Sequence, residues 1–198
     1  SCLSADTLGE IAKIAEEEDL IVIADDIYTS YSFEKDFIPF MSMPGMRERT
    51  ITINSFSKNF IMTGWRVGNI IAPAFIVRVL KDMGENIVYS APAPSQRAAI
   101  YALRNRKVIQ PPIIAEYRKR MEYAAERINR IPWMSVITPP KGSFYLFINI
   151  KKSGLSSLDA ADMILEKAHV LLLPGNAFGR CGEGYLRLAC TVGVDKLE

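Results

Sequence analysis

The run of five apolar residues at positions 20–24, followed at once by Asp25 and Asp26, is the feature that most restricts how this chain can fold. An unbroken apolar run of this kind predicts a parallel strand that is buried on both faces. Residues 4–19 carry apolar side chains at helical spacing, which predicts a helix ahead of the strand. Helix and strand together indicate an α/β protein. In parallel sheets of such proteins, ligands bind beyond the carboxyl ends of the strands.

A second strand is predicted at residues 50–54, where polar and apolar residues alternate. Ser55 and Lys58 follow this strand directly. Asp25 and Tyr28 follow the first strand in the same way. If the two strands are neighbours, their carboxyl ends meet and these side chains face one crevice. The residue pattern therefore predicts a polar site at this edge of the sheet.

Lys58 is the candidate nucleophile of this site. It lies among apolar residues, at positions 56 and 60–62. Apolar surroundings disfavour an ammonium and lower the pKa of a lysine amine. An amine tuned in this way is a candidate nucleophile or Schiff-base former. A lysine that merely follows a serine is more often a plain surface residue, so the neighbouring residues decide between the two interpretations.

The residues around the lysine also suit a phosphate group. Ser55 and Ser57 precede it, and Arg66 follows eight residues on, between Gly64 and Gly68. Hydroxyls and a guanidinium bind phosphate oxygens, and glycines let the backbone approach closely. The segment thus combines an amine nucleophile with groups that bind a phosphate monoester.

The composition of the 198-residue chain narrows the function further. Its 49% hydrophobic and 23% charged residues are typical of a protein with a full core. The net charge of +2 gives no reason to expect nucleic acid or a membrane as partner. The polar residues after Ser1 predict no signal peptide. Cys2, Cys181 and Cys190 are odd in number and lack metal-type spacing, which indicates unpaired thiols in the cytoplasm. With a single histidine, His169, we expect no metal.

A long amphipathic helix at residues 112–130 is predicted to join two domains, residues 1–111 and residues 112–198. The first domain has three further predicted elements: a strand at 70–73 and helices at 74–86 and 95–104. The second domain is predicted as an α+β unit with five elements: strands at 134–138, 144–149, 170–173 and 185–190 and a helix at 158–168.

Residues 54–68 read NSFSKNFIMTGWRVG, a Ser-x-Ser-Lys-x5-Gly-x-Arg-x-Gly pattern. This pattern resembles the cofactor-lysine signature of fold-type I pyridoxal-phosphate (PLP) enzymes, specifically the class I and II aminotransferases. Four further stretches match that family in the same order: residues 23–28, 140–145, 173–179 and 184–187. By this resemblance the chain would be roughly the C-terminal half of such an enzyme.

The resemblance implies a fold for each domain. Residues 1–111 would be the C-terminal part of the large PLP-binding domain, an α/β unit with a mostly parallel sheet and flanking helices. Residues 112–198 would be a bridging helix and the smaller α+β C-terminal domain, with its last helix truncated.

The resemblance also implies a role for each candidate residue. Lys58 would bind PLP as a Schiff base, Asp25 would pair with the pyridine nitrogen, and Tyr28 would donate a hydrogen bond to the phenolic oxygen. Arg187 would bind the α-carboxylate of the substrate. Three residues would hold the phosphate: Ser55, Ser57 and Arg66.

The activity implied is transfer of an amino group from an L-amino acid to a 2-oxo acid. A β-lyase on the same scaffold is the alternative, since it would share the cofactor residues. A non-catalytic sensor module attached to a DNA-binding domain is a third possibility, which upstream sequence would reveal. The resemblance further implies a homodimer in which residues 89–94 reach the partner's site. Asn86 occupies a position where some aspartate-specific relatives have an arginine, which predicts that neutral or aromatic amino acids are accepted.

Overall fold

The computed structural model describes residues 3–197, so Cys2 lies outside the described residues. The chain divides into two compact units, Ser1–Ile113 and Ile114–Glu198. The domain division predicted from the sequence lies between residues 111 and 112. Each unit combines helices with a three-stranded sheet, and the predicted α/β class is confirmed.

The sheet of the first unit contains β1 (Val22–Asp25), β2 (Thr50–Ser55) and β3 (Gly68–Ile71), in that order. β1 and β2 are parallel, as predicted, whereas β3 runs antiparallel to β2. β3 begins two residues earlier than predicted because Gly68 already pairs with Ser55.

The helices of the first unit lie between and after these strands. Ser4 begins the first helix, since its Oγ accepts a hydrogen bond from the Thr7 amide at 3.1 Å. The helix at Arg106–Asn129 includes residues on both sides of the division at Ile113. The five helices are α1 (Ala5–Glu17), α2 (Phe56–Asn59), α3 (Ala74–Ile87), α4 (Ala93–Arg104) and α5 (Arg106–Asn129).

β1 is not buried on both faces, contrary to the prediction from its apolar run. Val22 and Ala24 pack against the core formed with α1, but Ile23 points to the other face and is 66% exposed. The register places Ile70 of β3 on that same face, where it is exposed too. The apolar run thus predicted the strand correctly, but burial depends on a covering layer that only one face has.

The buried side chains of β2 are its threonines. Thr50 and Thr52 are buried, while Ile51 and Ile53 are only partly buried. The Thr50 hydroxyl donates a hydrogen bond to the Met46 carbonyl oxygen at 2.7 Å, which satisfies it inside the core. This face of β2 is the one that lies over α1.

The second unit contains an antiparallel sheet in the order β4 (Tyr145–Asn149), β6 (Tyr185–Ala189) and β5 (Leu173–Pro174). Helix α6 (Ser157–Ala168) matches the predicted helix within one residue. Cys190 follows β6 and is buried, and this burial raises the pKa of its thiol to about 12.

Two strands predicted for the second unit are largely wrong. Residues 134–138 form no strand and make only one bridge, between Ser135 and Asn149. The cause is the Asn129 side chain, which accepts a hydrogen bond from the Val136 amide at 2.8 Å and donates to the Val136 carbonyl at 3.2 Å. A side chain therefore occupies the backbone groups that a ladder would use. The strand predicted at 170–173 shrinks to β5, because only Leu173 and Pro174 pair with β6.

Candidate active site

The pairing of the first sheet brings the predicted polar residues to one edge. Asp25, at the end of β1, lies beside Ile53 of β2. Two residues further along β2, Ser55 lies beside Gly68, the first residue of β3. The carboxyl ends of β1 and β2 and the start of β3 therefore share an edge, and Arg66 lies two residues before that start.

The two adjacent aspartates have different surroundings. The backbone amide of Asp26 donates a hydrogen bond to the Ile53 carbonyl oxygen at 2.9 Å, which extends the sheet by one residue. Partial burial, together with the neighbouring charge of Asp25, raises the pKa of the Asp26 carboxyl. Asp25 is exposed on the open face of the sheet. Asp25 is therefore the carboxylate that a ligand at this edge can reach.

Lys58 lies in the four-residue helix α2, immediately after β2. The Ser55 hydroxyl begins this helix by accepting a hydrogen bond from the Ser57 amide at 3.1 Å. The lysine is half-buried, less than its apolar sequence neighbours suggested, and one of those neighbours, Ile61, is itself exposed. The buried Tyr31 hydroxyl donates a hydrogen bond to the Lys58 carbonyl oxygen at 2.8 Å, so the backbone of the lysine is fixed from the neighbouring turn.

Tyr28 leads into that neighbouring turn, a 3-10 turn at Thr29–Tyr31. Tyr28 is half-buried. Asn59 connects the turn to the lysine helix: its Nδ2 donates to Thr29 Oγ1 at 2.9 Å, and its Oδ1 accepts from the Ser30 amide at 3.2 Å. Residues next to Tyr28 are thus hydrogen-bonded to residues next to Lys58.

The predicted phosphate-binding residues lie between the end of β2 and the start of β3: Ser55 is the last residue of β2, Ser57 is in α2, and Arg66 is in the loop before β3. Arg66 has a left-handed backbone conformation (φ 50°), which is uncommon for a residue other than glycine and is often found at functional sites. Its Nη1 donates to the Thr63 carbonyl oxygen at 3.1 Å, and the residue is exposed. Ser55 and Ser57 are half-buried. A Cβ at Gly68 would lie 2.6 Å from the Asn54 carbonyl oxygen, so only glycine fits where the strand begins.

A cavity of about 580 Å³ adjoins this loop in the first unit. Of the predicted site residues, only Ser55 lines it. Its other polar lining residues come from several elements and include Ser30, Asn54, Asn59 and Gln110. The cavity therefore lies beside the Lys58 helix and is not the crevice that the sequence predicts.

Arg187 lies on β6 of the second unit, opposite Phe147 of β4. Its guanidinium carbon lies 4.4 Å from the centroid of the Phe178 ring and 4.5 Å from that of Tyr145. Contacts of this kind are cation–π interactions and restrict the guanidinium plane. Within residues 3–197, Arg187 makes no ion pair or side-chain hydrogen bond. Its N–H groups are therefore available to an anion.

The start of β6 is fixed by the buried Ser157 at the beginning of α6. The Ser157 hydroxyl accepts a hydrogen bond from the Gly184 amide at 2.9 Å, and its own amide donates to Glu183 Oε1 at 2.7 Å. The hydrogen bond from the Ser157 amide is the main cause that holds the pKa of the Glu183 carboxyl below its usual value. Close by, the backbones of Gly175 and Gly182 touch, and a Cβ on either would collide with the other's carbonyl group.

Sequence patterns missed the residues that hold this site together. Asn59, Tyr31 and Gln110 have their partners thirty or more residues away or in another element, and no local pattern reports such contacts. The one available signal was a polar asparagine inside an otherwise apolar stretch. Tyr145 and Phe178 lie in two of the stretches that match the family, but nothing local links them to Arg187.

The set of donors suits PLP. One sheet edge carries four kinds of group: the amine of Lys58, the carboxylate of Asp25, the guanidinium of Arg66 and the hydroxyls of Ser55 and Ser57. The amine matches an aldehyde carbon, the carboxylate matches a pyridine nitrogen, and the guanidinium and hydroxyls match a phosphate. In the part of the chain that the structure describes, no group of three or more His, Cys, Asp or Glu side chains is placed to hold a metal ion. None of the helices within residues 3–197 is both long and apolar enough to cross a membrane.

Comparison with known proteins identifies the family of this chain. The family model "Aminotransferase class I and II" matches residues 1–198. The chain belongs to the class I and II aminotransferase family.

Named relatives share about half of their length with this chain. It is 40% identical to the aspartate aminotransferase of Pyrococcus abyssi over 205 residues, which covers 100% of this chain and 51% of that protein. It is 38% identical to aromatic-amino-acid aminotransferase 2 of Thermococcus litoralis, over 99% of this chain and 51% of that protein. The crystal structure of an aromatic aminotransferase from Pyrococcus horikoshii matches with a TM-score of 0.93 at 36% identity, over 99% of this chain and 53% of that one.

Proposed function

We propose that the complete protein is a PLP-dependent aminotransferase and that Lys58 binds the cofactor covalently through Nζ. The observation that carries the proposal is the sheet pairing, which brings the Asp25, Ser55 and Arg66 positions to one edge beside the lysine helix. The family match and the aminotransferase names of the relatives support amino-group transfer in general.

Each residue at the edge has one task in this proposal. Asp25 pairs with the protonated pyridine nitrogen and keeps it protonated, since a nearby negative charge favours the charged form. Tyr28 donates a hydrogen bond to the phenolic oxygen. Bound there, PLP supplies an electron sink for the carbanion formed at the substrate α-carbon. The phosphate is held by three residues: Ser55, Ser57 and Arg66.

Lys58 would have a second task once the incoming amino acid has displaced its amine from the cofactor. Its Nζ would then accept the α-proton of the substrate and return it to the cofactor, a transfer that requires one mobile amine near both positions. The fixed backbone of the lysine supports this, since the Tyr31 hydroxyl holds the Lys58 carbonyl and leaves motion to the side chain.

Arg187 binds the substrate α-carboxylate in this proposal. A guanidinium presents two parallel N–H groups that match a carboxylate. The rings of Tyr145 and Phe178 restrict its plane, so less conformational freedom is lost when the substrate binds.

A homodimer is the second part of the proposal. Helix α3 has no buried residue and exposes Phe75, Val79 and Ile87, and Tyr89 after it is exposed as well. Apolar surface of this extent is typical of a protein–protein interface. Residues 89–94 would then contribute to the partner's site.

The central assignment is tested by borohydride reduction of the complete protein with PLP, followed by peptide mapping. The label is expected on Lys58, and a label on another lysine would contradict the assignment. Single turnover with an amino acid then distinguishes transfer from elimination. A 2-oxo acid with pyridoxamine phosphate indicates an aminotransferase, whereas free ammonia indicates a lyase.

A further inference from the structure

Asn59 makes the most direct connection between the lysine helix and the turn after β1. Both ends of its side-chain amide are used, by Thr29 Oγ1 at 2.9 Å and by the Ser30 amide at 3.2 Å. The residue is only 8% exposed, so the two hydrogen bonds are largely shielded from water. A buried amide satisfied at both ends holds two segments at one spacing.

Two further side chains reinforce the same connection. Gln110 of α5 donates through Nε2 to Ser30 Oγ at 2.8 Å and lies 3.5 Å from the Asn59 carbonyl oxygen. Tyr31 donates to the Lys58 carbonyl oxygen at 2.8 Å. Each of these contacts lies within the first unit. Together they tie both residues of the Lys58–Asn59 pair to the Thr29–Tyr31 turn.

The hydrogen bonds of Asn59 lie next in sequence to the two residues proposed to contact the cofactor. Lys58 directly precedes Asn59, and Tyr28 directly precedes Thr29. Helix α2 has only four residues, and so short a helix has little stability of its own. The position of the Lys58 backbone therefore depends on these side-chain contacts.

We propose that Asn59 is a positioning residue that sets the separation between the Lys58 amine and the Tyr28 hydroxyl. This rests on the proposed function, in which both groups act on one cofactor. Asn59 takes no part in the chemistry and acts through the backbone on either side of it.

The first test uses the complete protein without cofactor and measures hydrogen exchange of the Ser30 amide. Asn59→Ala removes the acceptor of that amide, so its exchange is expected to be about tenfold faster. The Asp26 amide, bonded to Ile53, serves as an internal reference and should keep its rate. Asn86→Ala is the matched control, because that side chain donates only to Asp82 within its own exposed helix.

The second test uses the PLP-loaded protein and measures the pH midpoint of the lysine-bound chromophore. A hydrogen bond from Tyr28 to the phenolic oxygen favours the unprotonated form, so loosening it is expected to raise the midpoint in Asn59→Ala. Thr29→Ala, which removes only the acceptor of the Asn59 amide, should raise it less. Thr29→Ser keeps a hydroxyl and should restore the wild-type midpoint.

The outcomes separate the two proposals. An unchanged Ser30 exchange rate and an unchanged midpoint in Asn59→Ala would overturn the positioning role. If Asn59→Ala does not fold, the test uses Thr29→Ala instead. Equal pH midpoints of the chromophore in Thr29→Ala and Thr29→Ser would then overturn the positioning role of Asn59. Failure of borohydride to label Lys58 in the wild type would instead reject the proposed function, while Ser30 exchange still decides whether Asn59 holds the turn.

Discussion

The guanidinium carbon of Arg187 lies 4.4 Å from the centroid of the Phe178 ring, although the two residues come from different elements of the second unit. Tyr145 contributes a second ring at nearly the same distance. Arg187 packs on two rings and forms no ion pair with a carboxylate of the described chain. Its guanidinium is therefore oriented and available to bind an external anion.

Removing the Phe178 ring should therefore weaken substrate binding. A cation–π contact at a partly exposed site contributes about 0.5–2 kcal/mol, so Phe178→Ala should raise KM for amino acids roughly 2- to 30-fold. kcat should change little, because the carboxylate is bound in ground state and transition state alike. Phe178→Tyr keeps a ring and should restore KM, and Tyr101→Ala, at an exposed ring elsewhere, is the control. Equal KM values for all four proteins would contradict this role.

The adjacent aspartates should differ sharply in their effect on rate. Asp25→Asn removes the charge partner proposed for the pyridinium, a loss of about 2–5 kcal/mol or roughly 30- to 5,000-fold in kcat/KM. Asp26→Asn should cost far less. Burial raises the pKa of Asp26, so its charged form is disfavoured in the fold, and the neutral variant should be at least as stable at neutral pH. Equal rate losses, or the reverse order, would show that the wrong aspartate was assigned.

The contact between Ser157 and Glu183 should contribute stability that depends on pH. The folded-state pKa of Glu183 is lowered, so its contribution is present above the unfolded value and is lost as pH falls through the folded value. Glu183→Gln should therefore reduce the midpoint of urea unfolding at neutral pH and leave it nearly unchanged at strongly acidic pH. A constant difference across the whole pH range would argue against an ionised Glu183 in the fold.

Substrate choice provides a fourth test. The Asn86 amide donates to the Asp82 carbonyl oxygen at 2.7 Å and carries no charge, so it cannot form the bidentate pair that selects a second carboxylate. We expect the complete enzyme to accept neutral or aromatic amino acids. The measurement is kcat/KM for aspartate, phenylalanine and alanine in the wild type and in Asn86→Ala. A strong preference for aspartate that survives this substitution would point to a cation elsewhere in the protein.

The sequence predicted the parts of the fold that local patterns report. The apolar run before Asp25 and the alternating residues before Ser55 are both strands, and their parallel pairing follows from an α/β arrangement. Lys58 in α2 and Arg66 in the following loop both lie between β2 and β3. Their roles stay predictions until cofactor binding is measured.

Long-range contacts explain why some of the predictions from local patterns were wrong. The Asn129 side chain takes the backbone groups of Val136, so an apparently good strand does not form. Ile23 is exposed because no layer covers its face of the sheet within the described chain. The sequence around Asn59 does not identify its partner, because Thr29 is thirty residues away. Periodicity reports which backbone conformation a segment prefers, but a contact between distant side chains leaves no periodic trace.

The contact between Gly175 and Gly182 has a consequence for how this protein can change over time. The carbonyl group of each glycine lies where the other residue would place a Cβ, so alanine at either position collides with its neighbour's backbone. No substitution at one glycine can compensate for a change at the other, since both are already the smallest residue. In a scan of every single substitution, these two positions should tolerate none, and a lineage could lose the pair only by rebuilding the whole turn at once.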